Sequence, residues 1–314
     1  MSKSVLVIGG TRFFGQRLVQ QLVEAGHRVT IATRGRAPDP FADRVRRLCV
    51  DRRDRAAMLA TFAGESFDLV FDQLCYSPHD AAIALDAFGG RVGHYVMAST
   101  IEVYDQWLGA RHPLRESDLS LDDEPIDRDY PWHVPTLLDL RYGAGKRQAE
   151  ALLYRDGRLP VTSVRIGHVL AGRDDFTGRL AHYVAWARKG LALPHAAASG
   201  ASSFIDAAGI ADFLAWIGRA DTALGPINAA CDGALSAVDL YRRVCALLHV
   251  PCVLAPVSER SAASVLSPFD YPGSHRIDTR KARQLGYAFG HTDQWLDRLI
   301  GEHAAVAAEG GVHV

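Results

Sequence analysis

The stretch Val5-Leu6-Val7-Ile8-Gly9-Gly10-Thr11-Arg12-Phe13-Phe14-Gly15 decides how the rest of this chain is read. Its apolar run is short and ends at a glycine pair, which reads as a buried strand rather than a helix. A helix follows over 13–25, where Phe14, Leu18 and Leu22 recur on one face and Gly26 stops the run. A second strand is expected at 29–33. In a strand–glycine turn–helix–strand unit, backbone N–H groups at the helix N-terminus face outward. Glycine there lets an anion approach the backbone closely. Gly9, Thr11, Arg12, Phe13, Phe14 and Gly15 are therefore candidate contacts for a dinucleotide pyrophosphate.

Working outward, short apolar runs at 48–50, 69–74, 95–98 and 161–166 continue the strands. Helical patterns at 55–63, 79–88 and 142–154 lie between them. Such alternation predicts an α/β fold with a doubly wound parallel sheet covered on both faces. After about Gly172 the rhythm loosens. A helix is expected at 176–187, a small-residue loop at 194–203, and short strands at 204–206 and 226–229 returning to the sheet edge. Further helices are expected at 237–248 and 279–285. The expected organisation is a dinucleotide-binding domain over 1–172, rejoined by 204–230, with a smaller substrate-binding lobe over 173–203 and 231–302. A frayed tail is expected over 303–314.

With 35 Lys+Arg against 36 Asp+Glu, the chain has no overall basic field, and composition gives no reason to expect nucleic acid. No apolar run approaches the roughly 18 residues of a membrane span, and the N-terminus lacks the pattern of a secretory signal. The five cysteines show no CxxC spacing and the thirteen histidines no HxH or HExxH, so no metal is expected. These features predict a soluble, cytoplasmic protein without a membrane partner.

The end of the second strand selects between dinucleotides. A carboxylate there binds the ribose 2′-hydroxyl of NAD. This chain has Thr33-Arg34-Gly35-Arg36, and two guanidiniums suit a 2′-phosphate. NADP is therefore the expected cofactor, with NAD the alternative. Asp51, after the third strand, can accept from an adenine amino group or cap its own turn. Tyr142 and Lys146 stand four apart in a helical stretch and share a face. A nearby cation stabilises phenolate, which lets a tyrosine exchange a proton with a carbinol or carbonyl oxygen. Thr100 can hydrogen-bond the same oxygen.

These residues resemble the extended short-chain dehydrogenase/reductase superfamily, which includes the NAD-dependent epimerases and dehydratases. The resemblance rests on Gly9/Gly15, Asp51, the segment 98–104, Tyr142/Lys146 and 165–167. Phe204-Ile205-Asp206 and the segment 278–282 extend it to about Gly286. It implies a Rossmann fold, a Thr100–Tyr142–Lys146 triad, Lys146 on the nicotinamide ribose, and a C-terminal lobe closing over a small-molecule substrate. It also suggests a homodimer built on the Tyr142 helix and 79–88. Arg12 replaces the usual middle glycine, a form resembling the atypical branch that holds chloroplast stem-loop RNA-binding proteins. His168 follows the sixth strand where nucleotide-sugar enzymes have Asn, and Ser202 stands where they often have a phosphate-binding Arg.

Glu102 resembles the glutamate with which sugar dehydratases and decarboxylases act beside the oxidised carbon. It is either a general base or a strand-end carboxylate bonded to backbone. Trp132 and His133, in the loop before the tyrosine helix, are candidates for the substrate pocket. The expected activity is hydride transfer at a carbinol or carbonyl of a sugar-like, polyhydroxylated molecule. The alternatives are an epimerase, decarboxylase or dehydratase that recycles its cofactor, and a non-redox RNA-binding or cofactor-sensing protein on the same fold.

Overall fold

The computed structural model describes residues 1–220, 222–257 and 267–309. In chain order its elements are β1 (Ser4–Ile8), α1 (Phe13–Glu24), β2 (Arg28–Thr33), β3 (Arg46–Cys49), α2 (Arg55–Thr61), β4 (Phe67–Asp72), α3 (Pro78–Phe88), β5 (Val92–Thr100), α4 (Pro135–Leu140), α5 (Tyr142–Asp156) and β6 (Val161–Ile166). There follow β7 (His168–Leu170), α6 (Arg179–Arg188), β8 (Leu193–Ala196), β9 (Phe204–Asp206), α7 (Ala207–Ile217), β10 (Ile227–Ala229), α8 (Ala237–Leu248), β11 (Leu254–Val257), α9 (Arg280–Gln284) and α10 (Leu296–Glu309). The chain divides into two compact units. One comprises Met1–Val103, Arg115–Ile166 and Ile210–Ala229; the other comprises Tyr104–Leu114, Gly167–Gly209 and Ala230–Val314.

The first unit is a seven-stranded parallel sheet in the order β10-β6-β5-β4-β1-β2-β3. Alternate residues of each strand serve opposite faces. Leu6, Ile8 and Val70 join Met58, Phe88 and Leu153 in one core, which packs α2, α3 and α5 on that face. On the other face Val7 lies beside Gly10 and Val19 of α1, and Leu69 and Phe71 crowd Gly218 just after α7. Helices on both faces explain why these strands read as unbroken apolar runs. In α1 the buried residues are Phe13, Gly15, Leu18, Val19 and Leu22, whereas Phe14 is only half-buried.

The second unit has its own core, in which Tyr183 of α6, Tyr241 of α8 and Ile300 of α10 surround Phe204. Its strands form two-stranded parallel pairs, β7 with β9 and β8 with β11.

Three expectations are corrected here. Phe204–Asp206 does not return to the main sheet but pairs with His168–Leu170, because the sheet edge beside β6 is taken by Ile227–Ala229. The small-residue loop expected at 194–203 begins within strand β8, whose extended backbone is held by Leu254–Val257. The tail is helical through Glu309 rather than frayed from 303, since Leu299 and Ile300 anchor α10 in the core; residues 310–314 lie outside the described residues. The unit boundaries also differ from those expected. Tyr104–Leu114 joins the second unit, which begins again at Gly167, and within 204–230 only Ile210–Ala229 belongs to the first. Among the described residues no helix is long and apolar enough to cross a membrane.

Candidate functional site

Parallel strands end together, and at the C-terminal edge of β1 the chain turns through Gly9 and Gly10 with φ of +102° and +87°. Side chains rarely adopt such values. Gly10 has a second constraint, since a Cβ there would stand 2.9 Å from Val19 and 3.0 Å from Val7. Arg12 is extended at the start of α1, and Phe13 follows at φ +55°, a strained setting for an aromatic residue. The first turn of α1 has neither a side-chain cap nor an acidic residue. Its N–H groups and dipole remain directed outward, as an anion requires. Gly15 admits the Gln73 side chain, whose Nε2 is buried without a hydrogen-bond partner. A dinucleotide pyrophosphate fits this cradle.

At the neighbouring strand ends, Arg34 and Arg36 are exposed on the loop after β2, where the Thr33 hydroxyl accepts the Gly35 N–H at 3.1 Å. Arg12 is exposed as well, and none of the three guanidiniums has an ion-pair partner among the described residues. Thr11 lies in the turn between the glycines and α1, half-buried. Asp51 caps its own turn, its carboxylate accepting the Arg53 N–H at 3.0 Å, while its exposed position leaves the adenine contact open.

The tyrosine–lysine pair opens α5. Lys146 is 1% exposed and donates from Nζ to the Ala98 carbonyl at 2.6 Å, two residues before Thr100 on β5. Burial lowers the ammonium pKa to about 8, against opposing pulls from Cys75, Asp72, Asp80 and Glu150. Tyr142 lies on the same helix face, its ring centroid 5.8 Å from Nζ. Thr100, buried at the end of β5, accepts the Glu102 N–H on Oγ1 at 3.2 Å. Glu102 is half-buried in the 3₁₀ segment Ile101–Trp107 that follows. The helix is tied down along its length. Arg165 and Glu150, both fully buried, meet at 2.7 Å, Ser99 donates to Glu150, and Arg147 donates to the Val103 carbonyl at 3.1 Å.

Trp132 and His133 line a cavity of about 260 Å³ in the first unit, together with Arg53, Arg55, Ser77 and His79. Trp132 is itself buried, its N–H donating to the Asp127 carbonyl at 2.7 Å. Cys75 is fully buried and burial pushes its thiol up, which fits a packing residue. In the second unit His168 stacks on Tyr271 at 5.3 Å, and Ser202 is wholly buried with its hydroxyl on the His275 carbonyl at 3.0 Å.

Sequence reasoning missed the residues beneath the site. Arg52 is 4% exposed and bonds Asp72 at 2.6 Å, with Asp80 at 4.0 Å, and Tyr95 donates to Asp72 at 2.7 Å. Tyr76 places its ring 4.4 Å from Lys146 Nζ. An arginine followed by carboxylates 20 and 28 positions later leaves no local spacing signal. Only the topology brings the ends of β3 and β4 and the start of α3 together.

Residues 5–88 match the model of the NAD dependent epimerase/dehydratase family. The chain is 29% identical over 205 residues to 2′-dehydrokanamycin reductase of Streptomyces kanamyceticus, which is 64% of this chain and 51% of that protein. It is 32% identical over 115 residues to the chloroplast stem-loop binding protein of 41 kDa b of Arabidopsis thaliana, 32% of this chain and 30% of that protein. These matches thus span between about a third and half of the curated relatives' lengths. The UDP-glucose 4-epimerase of Thermus thermophilus, solved in complex with NAD, has the same fold. Its TM-score is 0.68 at 19% identity, covering 96% of this chain and 99% of that one. The segment that carries the glycine turn is thus similar to the NAD dependent epimerase/dehydratase family, and the chain as a whole shares the fold of the Thermus epimerase.

Proposed function

We propose that this protein is an NADPH-dependent reductase of a carbonyl on a sugar-like, polyhydroxylated small molecule. The observation that carries this reading is the buried Lys146 ammonium, fixed to β5 and placed under the Tyr142 ring. Tyr142 acts as the general acid, delivering its proton to the substrate oxygen as the carbonyl carbon is reduced. Lys146 stabilises the phenolate left behind, and Thr100 orients the oxygen. Bound NADPH supplies the hydride. The first turn of α1 would hold its pyrophosphate, Lys146 would bond its nicotinamide ribose, and Arg34 and Arg36 would pair with the 2′-phosphate.

Two features favour a substrate other than a nucleotide-diphosphate sugar. Ser202 is buried and spent on the His275 carbonyl, so the position often held by a phosphate-binding arginine offers no cation. The relative named a 2′-dehydrokanamycin reductase acts, by its name, on an aminoglycoside ketone, and the longer of the curated matches is to it. A second reading, epimerisation with retained cofactor, draws on the NAD held by the Thermus epimerase and on Glu102 as a base beside the reacting carbon. An RNA-binding role ranks below both, because Tyr142 and Lys146 keep an arrangement that such a role would not need.

The test is Tyr142→Phe, assayed by NADPH oxidation with keto-glycosides. Turnover is expected to fall about 10²–10⁴-fold, the range of general acid catalysis, with NADP⁺ affinity retained. Near wild-type turnover would refute the assignment.

A further inference from the structure

The loop from β4 to α3, residues 73–77, holds none of the residues on which the sequence resemblance was built, yet it is firmly braced beside the tyrosine–lysine pair. Asp72 accepts the Leu74 N–H on Oδ1 at 2.9 Å and the Arg52 guanidinium on Oδ2 at 2.6 Å. Asp80 accepts the Tyr76 N–H at 2.9 Å and the Ser77 hydroxyl at 3.0 Å on one oxygen, with Arg52 Nε 4.0 Å from the other. Arg52 thus spans the carboxylates on either side of the loop. It remains cationic despite full burial because both carboxylates face it. From the opposite side α5 presses in. A Cβ at Gly145 would lie 2.6 Å from the Tyr76 carbonyl and 3.0 Å from Trp132. Tyr76 is therefore fixed by the brace behind it and the helix before it.

That fixing sets the place of one ring. The Tyr76 centroid is 4.4 Å from Lys146 Nζ and 6.1 Å from the Tyr142 ring, and the Tyr142 ring is itself 5.8 Å from Nζ. Both distances from the ammonium fall within the reach of cation–π attraction, which strengthens when water is excluded. We propose that Tyr76 is a positioning residue whose ring, held by the Arg52–Asp72–Asp80 brace, keeps the Lys146 ammonium charged and in place beneath Tyr142. The proposal rests on the reading of Tyr142 and Lys146 as the acid–base pair. Burial, with Asp72 and Asp80 adding to it, pushes the Tyr76 phenol up to about 12, so it stays neutral and does not compete with Tyr142 for the proton.

The groups that face Lys146 are Asp72, Cys75 and Asp80 from the β4–α3 segment and Glu150 one turn further along α5. Burial opposes the charge, and the three carboxylates together with the two rings oppose burial. Removing the electron density of one ring tilts that balance toward the neutral amine.

The chain has only four lysines, Lys3, Lys146, Lys189 and Lys281, so ¹³Cε-lysine labelling resolves Lys146, assigned by the signal lost in Lys146→Met. The experiment replaces Tyr76 by phenylalanine and then by phenylalanines with increasing ring fluorination, which drains the ring face while nearly preserving its shape. The Lys146 titration midpoint is expected to be unchanged in Tyr76→Phe and to fall progressively along the series, by roughly one pH unit in total. A flat series in folded protein would overturn the proposal. Because the readout is the lysine itself, a fall in midpoint with full turnover in Tyr142→Phe would uphold the positioning role of Tyr76 and reject the catalytic reading instead.

Discussion

In the first unit buried arginines meet carboxylates, whereas in the second the buried His168 imidazole stays neutral among aromatic rings. Arg165 meets Glu150, and Arg52 spans Asp72 and Asp80, each with its carbon skeleton sealed from water. In the second unit, burial first and then the neighbouring His275 and Arg179 hold His168 far below its ordinary pKa, and its ring lies among Phe204, Phe269, Tyr271 and His275. Paired ions are directional and intolerant of displacement, which suits the unit that has to hold a lysine, a tyrosine and a strand end in fixed relation. Stacked neutral rings fill space with weaker angular demands.

The largest effect is expected for Glu150→Ala, which leaves Arg165 buried beside an empty space. A loss of about 3–5 kcal/mol in urea unfolding is expected, as for other buried pairs with one partner removed. A loss below about 1 kcal/mol would mean that pairing is not what fixes α5.

Acid is expected to act on both units. The first unit has one buried imidazole of its own, His94, bonded to the Thr162 hydroxyl at 2.8 Å and lowered by burial to about 4. Its folded pKa lies below the unfolded value near 6.5, so between these values the unfolded chain binds more protons. Stability is therefore intact above about pH 6.5 and falls as pH drops toward 4, by up to about 3 kcal/mol. His168 has the same sign. Thermal midpoints from pH 7 to pH 4 should fall in the wild type, less steeply in His94→Gln, and less steeply again when His168→Gln is added. A pH-independent midpoint would show that both imidazoles accept protons freely in the folded state.

The two units also differ in how far the sequence reveals them. In the first, runs such as Val5–Ile8 and 69–74 are apolar because both sheet faces are covered, and Gly9 and Gly10 mark the turn after the first of them. Only β3 is faint, since this edge strand sets two adjacent exposed arginines before the half-buried Leu48. Tyr142 and Lys146 are legible because helical spacing puts them on one face. The brace under them is not, because Arg52, Asp72 and Asp80 come from three elements. In the second unit β7 and β9 are three residues long, too short for any period, and His168, Tyr271 and His275 meet only through folding. The helix α7 is hidden in the sequence because Phe204-Ile205-Asp206 runs into it without a break, and its apolar face lies directly against the sheet.

On the proposed function, the first unit holds NADP(H) through the α1 turn and the exposed guanidiniums of Arg34 and Arg36. Calorimetric titration of cofactor-free protein with NADP⁺ and with NAD⁺ tests it most directly, in the wild type and in the Arg34→Ala/Arg36→Ala variant. Tighter binding of NADP⁺ is predicted, weakened about 10–100-fold in the variant while NAD⁺ affinity is unchanged. Equal affinities insensitive to the two arginines, or binding of neither dinucleotide, would contradict it.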